Sequence, residues 1–294
     1  MFAMPKRVPG WWLRHLAGRR TRLVVLAAAT ALLTGAAIAT GAASGAATGA
    51  TTREPAGPRP TIVLVHGGWA DSSGWDAEIS NLTELGYPVV TIANPLRSLT
   101  GDSDYVRARI AQISGPIVLV GHSYGGAVIT NAARGVSNVK ALVYVAAFAP
   151  AEGESLATDQ YPGTHIDPSK LDVVPVPNPA APGGQDVDLY IKAADFRDIF
   201  AGDVSPHEAM LQAATQRPFA STAFTQPSGA PAWAAIPSWD LISLDDHAIS
   251  PAGQMFMAQR MHAHITSVHS AHDIMISHPA AVDQIILRAV AATA

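Results

Sequence analysis

Ser123 is the side chain of this sequence best placed to act as a nucleophile. It stands in the segment 121–125 (GHSYG), directly after the apolar run 116–120 and before a stretch with helical character. A strand, a tight turn and a helix in that order hold a serine hydroxyl above the edge of a sheet. The N–H of Tyr124, at the start of the helix, is then free to donate to an oxyanion. We predict these two roles, against the alternative of a glycine-rich turn with an idle serine.

A second oxyanion donor is expected from the loop that follows an earlier strand. The segment 66–69 (HGGW) directly follows the β-branched run 61–65. Glycines let a backbone N–H approach the oxygen of a substrate closely. We therefore predict the N–H of Gly68 as this donor. The alternative is a glycine-rich connection in which His66 is only structural.

A serine needs a base and an orienting acid, which follow it later in the chain in this type of arrangement. The acid candidates are Asp245 and Asp246, at the end of the predicted strand 239–244. Asp240 lies inside that strand and is the poorer candidate. The residues alone leave the choice between Asp245 and Asp246 open.

The base candidates are the three histidines after the last predicted strand, His269, His272 and His278. His269 is still near the strand end, and His278 precedes a proline at a helix start. His272 is in the middle of the loop, where an imidazole could lie over the serine turn. We therefore predict His272 as the base.

Metal and thiol chemistry are both disfavoured by the sequence. There is no cysteine, which excludes disulfides, thiolate nucleophiles and cysteine–zinc sites. Several potential ligands cluster within twelve positions, namely His262, His264, His269, His272 and Asp273. They lack the H-E-x-x-H spacing of a helical zinc site. We predict no metal site and no cofactor.

The elements that must position these residues alternate between short apolar strands and helical patterns. The predicted strands cover 61–65, 88–93, 116–120, 139–146, 239–244 and 263–268. Nearly continuous apolar strands between helices predict a mostly parallel, doubly wound α/β sheet that is covered on both faces. Residues 61–150 and 237–294 would form this core. Residues 151–236 would form a cap insertion, with helices near 187–200 and 206–215.

The first 60 residues read as targeting and linker sequence. Residues 1–22 are basic, 23–39 are apolar and uncharged, and small residues continue to position 52. This order predicts an export signal within 1–52, with a retained membrane anchor as the alternative. Residues 53–60 are rich in proline and predict a linker. We expect an exported protein, secreted or at the periplasm or cell surface, without stable membrane association after cleavage.

Composition restricts the remaining partner classes. Of the 294 residues, 48% are hydrophobic and 14% are charged, which excludes a mainly disordered chain. Six of the 19 basic residues and none of the 23 acidic ones lie in the first 50 positions, so the rest carries a net charge of −10. An acidic domain disfavours binding to nucleic acid or anionic lipid. The expected partner is a small-molecule substrate.

Taken together, residues 61–293 resemble the α/β-hydrolases. Within them they resemble the branch that contains plant methyl esterases, hydroxynitrile lyases and bacterial esterases. The supporting segments are VLVHGG (63–68), GHSYGG (121–126), ADFRDIF (194–200), DHAI (246–249), SAH (270–272) and SHP (277–279).

The resemblance implies an α/β-hydrolase fold and a serine carboxylesterase that acts through a Ser-His-Asp triad and an acyl-enzyme. The aromatic residues of the predicted cap favour small to medium esters, although they could equally form the core of the cap. Ser123, His272 and Asp246 match the triad, which selects Asp246 over Asp245, and Gly68 and Tyr124 match the oxyanion donors. The lyases of this branch have a lysine where this chain has Asp273, so cyanohydrin cleavage is disfavoured. The alternatives are lyase activity, a cofactor-free haloperoxidase activity and a small-molecule-binding protein.

Overall fold

The computed structural model describes residues 59–158, 166–178 and 182–293. Six parallel strands form the central sheet, in the order β2-β1-β3-β4-β8-β9, and three antiparallel strands form a second sheet, in the order β5-β6-β7. The strands are β1 Thr61–Val65, β2 Val89–Ile92, β3 Ile117–His122, β4 Val139–Val145, β5 Leu171–Pro177, β6 Gln185–Ile191, β7 Phe219–Ala220, β8 Ser238–Ser243 and β9 His264–Val268.

Helices cover both faces of the central sheet. They are α1 Asp76–Glu84, α2 Leu99–Ile110, α3 Tyr124–Ala132, α4 Ala193–Ile199, α5 Pro206–Thr215, α6 Ser221–Thr225, α7 Pro251–Arg260, α8 Ile274–Ser277 and α9 Pro279–Thr293. Alternate residues of β1 enter two separate cores. Val63 and Val65 pack with α2, α3 and α7, whereas Ile62 and Leu64 pack with α1 and α9. The predicted α/β class with a parallel sheet is confirmed.

Side-chain caps fix the starts of several helices. The Ser98 hydroxyl accepts a hydrogen bond from the N–H of Gly101 at the start of α2. The Ser250 hydroxyl does the same for Gly253 at α7, which also has a proline in its first turn. Each cap satisfies one of the N–H groups that the first turn of a helix leaves free. Helix α7 therefore begins at a defined point, directly after the loop that follows β8.

The prediction of a helix over 187–200 is wrong in its first part. Residues up to Ile191 belong to β6, which pairs in antiparallel fashion with β5, and helix α4 begins only at Ala193. The segment 186–189 alternates acidic and apolar residues, which is the period of a strand. The insertion between β4 and β8 is therefore part sheet and part helix.

The insertion is hydrogen-bonded to the loops that follow β1 and β2. The Trp69 indole N–H donates to the Leu189 carbonyl oxygen at 2.9 Å, and the Trp69 carbonyl oxygen accepts from the Arg217 N–H at 2.9 Å. Arg97 and Asp188 form an ion pair at 2.5 Å. The two Trp69 contacts attach the insertion directly to the loop that carries the predicted oxyanion donor Gly68, and the ion pair attaches it to the loop after β2.

The predicted export signal in residues 1–52 and nearly all of the predicted linker lie outside the described residues. In the part of the chain that is described, no helix has the length and apolar character needed to cross a membrane. Export therefore stays a prediction from the sequence.

A buried carboxyl group between α1 and α9 makes stability depend on pH. Glu78 is fully buried, and neither of its carboxyl oxygens has a hydrogen-bond partner among the described residues. Burial, with a smaller contribution from the nearby charges of Asp283 and Asp273, raises its pKa from 4.5 to about 8. Between these two values the folded state holds a proton that the unfolded state has lost. The free energy of unfolding should therefore fall with rising pH, by up to about 1.4 kcal/mol per unit.

Glu78→Gln removes this ionisable group, so we expect it to stabilise the protein by roughly 3–5 kcal/mol above about pH 8 and to have little effect below about pH 5. Urea unfolding of both proteins across this range measures the difference. Glu84→Gln, on the exposed side of the same helix, is the matched control. An equal gain at both ends of the pH range would contradict the assignment.

Candidate active site

The turn between β3 and α3 presents Ser123 in a strained conformation. Ser123 has φ 53° and ψ −124°, a combination that residues with a side chain rarely adopt. Its backbone is held on both sides: the N–H donates to the Val145 carbonyl oxygen at 3.2 Å, and the carbonyl oxygen accepts from Gly126 at 2.9 Å and Phe148 at 3.1 Å. The turn is thus fixed by the strand and the loop beside it.

The glycines on either side are required by close backbone contacts. A Cβ atom at Gly121 would lie 2.5 Å from the Gly125 carbonyl oxygen, and one at Gly125 would collide with the Val65 carbonyl oxygen. Backbone therefore occupies the space that side chains would need. This explains the spacing of the GHSYG segment and supports the predicted strand–turn–helix geometry.

The structure brings Ser123, His272 and Asp246 into one chain of hydrogen bonds. His272 Nε2 lies 2.8 Å from Ser123 Oγ, and His272 Nδ1 lies 2.7 Å from Asp246 Oδ2. An ionised carboxylate only accepts hydrogen bonds, so Nδ1 carries the proton and Nε2 accepts from the serine hydroxyl. His272 and Asp246 are each 1% exposed, which keeps water away from both contacts. The arrangement can move a proton from Ser123 to His272.

The carboxylate of Asp246 is held in place by backbone and amide donors. Its Oδ1 accepts from the N–H groups of Ala248 at 2.7 Å and Ile249 at 2.9 Å, and its Oδ2 accepts from Gln254 Nε2 at 2.8 Å. Gln254 is itself fixed, because its Oε1 accepts from the N–H of Ser243 at 3.0 Å. The sequence analysis missed Gln254, and its only signal is its place in the helix after the DHAI segment.

The other candidates lie elsewhere. Asp245 and His269 face each other at 3.3 Å with both side chains more than half exposed, so they form a separate surface pair. His278 lies 3.6 Å from Asp203. Asp240 is buried inside β8, where desolvation raises the pKa of its carboxyl well above the ordinary value. None of these four candidate side chains is hydrogen-bonded to Ser123 or His272 in the described structure.

The loop after β1 lies directly against Ser123. A Cβ atom at Gly67 would lie 2.6 Å from the Cβ of Ser123, so only glycine permits this approach. Within the described ranges, the N–H groups of Gly68 and Tyr124 have no hydrogen-bond acceptor in the protein. Both predicted donors are thus available for an oxyanion beside the serine, and their role remains a prediction.

His66 anchors this loop rather than taking part in the proton transfer. Its Nδ1 lies 2.9 Å from the Gly67 carbonyl oxygen, and its Nε2 accepts from the N–H of Asn94 at 2.9 Å. Burial lowers its pKa to about 4, so the imidazole is neutral at pH 7. His66 therefore fits the structural role that the sequence analysis gave as the alternative for this loop.

His122 supports the loop that carries the base. Its ring lies 4.7 Å from the His272 ring, and its Nε2 donates to the His272 carbonyl oxygen at 3.0 Å. Complete burial lowers the pKa of His122 well below its ordinary value. A neutral His122 adds no positive charge beside His272. Sequence reasoning gave this residue no role beyond its place in the serine turn.

Aromatic side chains from the insertion form the walls of the site. The Phe200 ring lies 4.8 Å from the His272 ring, and the Phe219 ring lies 4.8 Å from Tyr124 and 5.2 Å from Trp69. These buried rings give the site apolar walls beside His272 and Tyr124. Among the described residues, no three His, Asp or Glu side chains are arranged to hold a metal ion.

Comparisons with known proteins point to one family. The model of the alpha/beta hydrolase family matches residues 62–285. The alpha/beta hydrolase nvfD of Aspergillus novofumigatus (strain IBT 16806) is 27% identical over 253 residues, which cover 79% of this chain and 96% of that protein. A carbendazim hydrolyzing esterase of Nocardioides sp. (strain SG-4G) is 33% identical over 108 residues, or 32% of this chain and 45% of that protein.

Among solved structures, polyneuridine aldehyde esterase superposes with a TM-score of 0.67 at 17% identity, covering 79% of this chain and 99% of that one. At this level of identity the likeness concerns the fold.

Proposed function

Because this chain belongs to the alpha/beta hydrolase family, we propose that it is a serine carboxylesterase that cleaves small to medium carboxylic esters. The observation that carries the proposal is the continuous chain of hydrogen bonds from Ser123 through His272 to Asp246. A serine hydroxyl is a weak nucleophile unless a base takes its proton, and in this arrangement His272 is the base.

In the first half of the proposed reaction, Ser123 Oγ attacks the ester carbonyl carbon while its proton moves to His272 Nε2. Asp246 stabilises the imidazolium that forms. The carbonyl oxygen becomes an oxyanion and accepts hydrogen bonds from the N–H groups of Gly68 and Tyr124. The imidazolium then protonates the alkoxide as its bond to the carbon breaks, which releases the alcohol and leaves an acyl-Ser123.

In the second half, His272 takes a proton from a water molecule, whose oxygen attacks the acyl carbon. The same two N–H groups stabilise the second oxyanion. When the bond to Ser123 Oγ breaks, the imidazolium returns the proton to that oxygen. The products are one carboxylic acid and a regenerated enzyme, so the cycle consumes only water and needs no cofactor.

The surroundings of the serine support an ester of limited size. Phe200 packs against His272, and Phe219 packs against Tyr124 and Trp69, so buried apolar rings lie beside the proposed triad. Such rings stabilise apolar acyl or alcohol groups by excluding water. The named relatives include an esterase from Nocardioides, which agrees with ester chemistry on this fold. Asp273 follows His272 in the chain, and a buried acidic group there argues against release of an anion such as cyanide.

The proposal is tested by following hydrolysis of p-nitrophenyl acetate, butyrate and octanoate by the full chain. We expect turnover of the two shorter esters, a lower kcat/KM for octanoate, and an initial burst of p-nitrophenol when deacylation is slower than acylation. A folded protein that binds these esters tightly without turning them over would overturn the proposal in favour of a small-molecule-binding protein.

A further inference from the structure

A small cavity with one polar end lies next to the proposed base. Its volume is about 60 Å³, and its walls include Trp69, Phe196 and Phe200 on the apolar side and Gln212 and Asp273 on the polar side. A cavity needs about 10–15 Å³ to hold one water molecule, so this one accommodates roughly four to six non-hydrogen atoms. That is the size of a short chain with a polar end.

The cavity is adjacent to the proposed base through two of its lining residues, Phe200 and Asp273. Phe200, which forms one wall, lies 4.8 Å from the His272 ring, and Asp273 directly follows His272 in the chain. In the proposed mechanism the imidazolium must reach the oxygen of the departing alcohol. The alcohol portion of the ester is therefore the portion expected on this side of the serine.

One buried amide of the cavity, that of Gln212, has no hydrogen-bond partner among the described residues, and the buried carboxyl of Asp273 lies beside it. Asp273 is 2% exposed, and its backbone N–H is fixed by the Phe200 carbonyl oxygen at 3.0 Å. Gln212 lies close to its carboxyl, yet in the described chain neither buried amide atom of Gln212 has a hydrogen-bond partner. Buried polar groups normally have such partners, so this pair is suited to receive them from a ligand.

We propose that this cavity is the subsite for the alcohol portion of the substrate, and that Asp273 and Gln212 select alcohols with a hydroxyl group a few atoms from the ester oxygen. This inference rests on the proposed esterase function. A hydroxyl group can donate to the Asp273 carboxylate and accept from the Gln212 amide, which satisfies both. An isosteric methyl group would offer no hydrogen bond to these buried polar side chains, which is costly.

The ionisation of Asp273 gives this preference a pH dependence. Burial raises the pKa of Asp273 to about 7, with His272 and Gln212 opposing the rise and Asp203 and Glu208 adding to it. Asp71 is a further acidic residue in the cavity wall. Above about pH 7 the carboxylate only accepts hydrogen bonds, so the preference for a hydroxyl donor should strengthen as pH rises through this value.

The test compares 2-hydroxyethyl butyrate with propyl butyrate, two esters that differ only by a hydroxyl in place of a methyl group. For the wild-type protein we expect kcat/KM to favour the hydroxyl ester by roughly 10- to 100-fold, more above about pH 7 than below it. The ratio of the two values cancels any titration that affects both substrates equally.

Asp273→Asn and Gln212→Leu should each reduce the ratio severalfold, and Asp273→Asn should also abolish its pH dependence. Asp245→Asn, at an exposed carboxyl outside the cavity, is the control and should leave the ratio unchanged.

The outcomes separate this inference from the proposed function. If the wild-type protein hydrolyses both esters equally, or if both variants retain the full ratio and its pH dependence, the subsite assignment is wrong and the esterase proposal stands. If it hydrolyses neither of these esters nor the p-nitrophenyl esters, the esterase proposal itself fails. If both the esterase proposal and the subsite assignment are correct, the wild-type protein prefers the hydroxyl ester. Asp273→Asn and Gln212→Leu, with folding verified by circular dichroism, then show a severalfold smaller preference.

Discussion

Ser123→Ala is expected to lower kcat/KM for p-nitrophenyl butyrate by roughly 10⁴- to 10⁶-fold. The substitution removes the only protein atom that the proposed mechanism bonds to the acyl carbon, so no acyl-enzyme can form. A residual rate above that of water is expected, because the oxyanion donors and the binding walls remain. The hydroxyl makes its only recorded hydrogen bond in the described structure with His272, so the fold should tolerate its loss.

The matched control is Ser267→Ala, at an exposed serine on β9. Its kcat/KM should stay within about twofold of the wild-type value, because most exposed substitutions have small effects. Comparable activity in Ser123→Ala and Ser267→Ala would remove Ser123 from the mechanism. Thermal unfolding of both variants distinguishes a lost nucleophile from a lost fold.

Asp246→Asn is expected to lower kcat by about 10⁴-fold with a small change in KM. An asparagine amide can donate to His272 Nδ1, which favours the tautomer with the proton on Nε2. That tautomer cannot accept the proton of Ser123, and the uncharged amide no longer stabilises the imidazolium. The N–H groups of Ala248 and Ile249 can still donate to the asparagine Oδ1, which keeps the side chain in place with Nδ2 towards His272, although Gln254 Nε2 loses its acceptor there.

The chain offers a control for this prediction in the preceding residue. Asp245→Asn makes the same chemical change one position earlier, at an exposed carboxyl that faces His269 instead of His272. We expect its kcat to be within about twofold of wild type. A large loss in Asp245→Asn together with a small loss in Asp246→Asn would reverse the assignment. Steady-state kinetics of the two variants decides between these results.

The position of the proposed nucleophile in a strand–turn–helix unit could be predicted from the sequence because its determinants are local. A buried strand, two glycines and a helix start are adjacent in the chain, and the close contacts at Gly121 and Gly125 explain why those positions carry no side chain. The parallel sheet was predictable for a similar reason. Strand β1, for example, is apolar from Ile62 to Val65 because both of its faces are buried there.

The choice between Asp245 and Asp246 depends on contacts that strand prediction does not provide. Both carboxyls follow β8, but only that of Asp246 turns inward to the N–H groups of Ala248 and Ile249. The resemblance to a family selected Asp246, the carboxyl that lies 2.7 Å from His272 in the structure. Gln254 was missed because its contact with Asp246 forms only when α7 packs against the loop after β8.

The insertion was the least predictable part of the chain. The alternation in β6 is a short signal, and the sequence analysis took it as the start of the following helix. Its partner β5 contains two prolines, which are unfavourable inside a sheet and obscure a strand pattern. A strand of this kind is stabilised by pairing with a neighbour, so the sheet emerges only when both strands are considered together.

The central claim, that Ser123 is an activated nucleophile, is tested most directly by labelling the full chain with a fluorophosphonate and mapping the product by mass spectrometry. Such reagents phosphonylate serines that have an adjacent base. The account predicts one adduct per chain, located on Ser123, absent in Ser123→Ala and formed much more slowly in Asp246→Asn. A wild-type protein that hydrolyses esters but carries its adduct on another residue, or carries none, would contradict it.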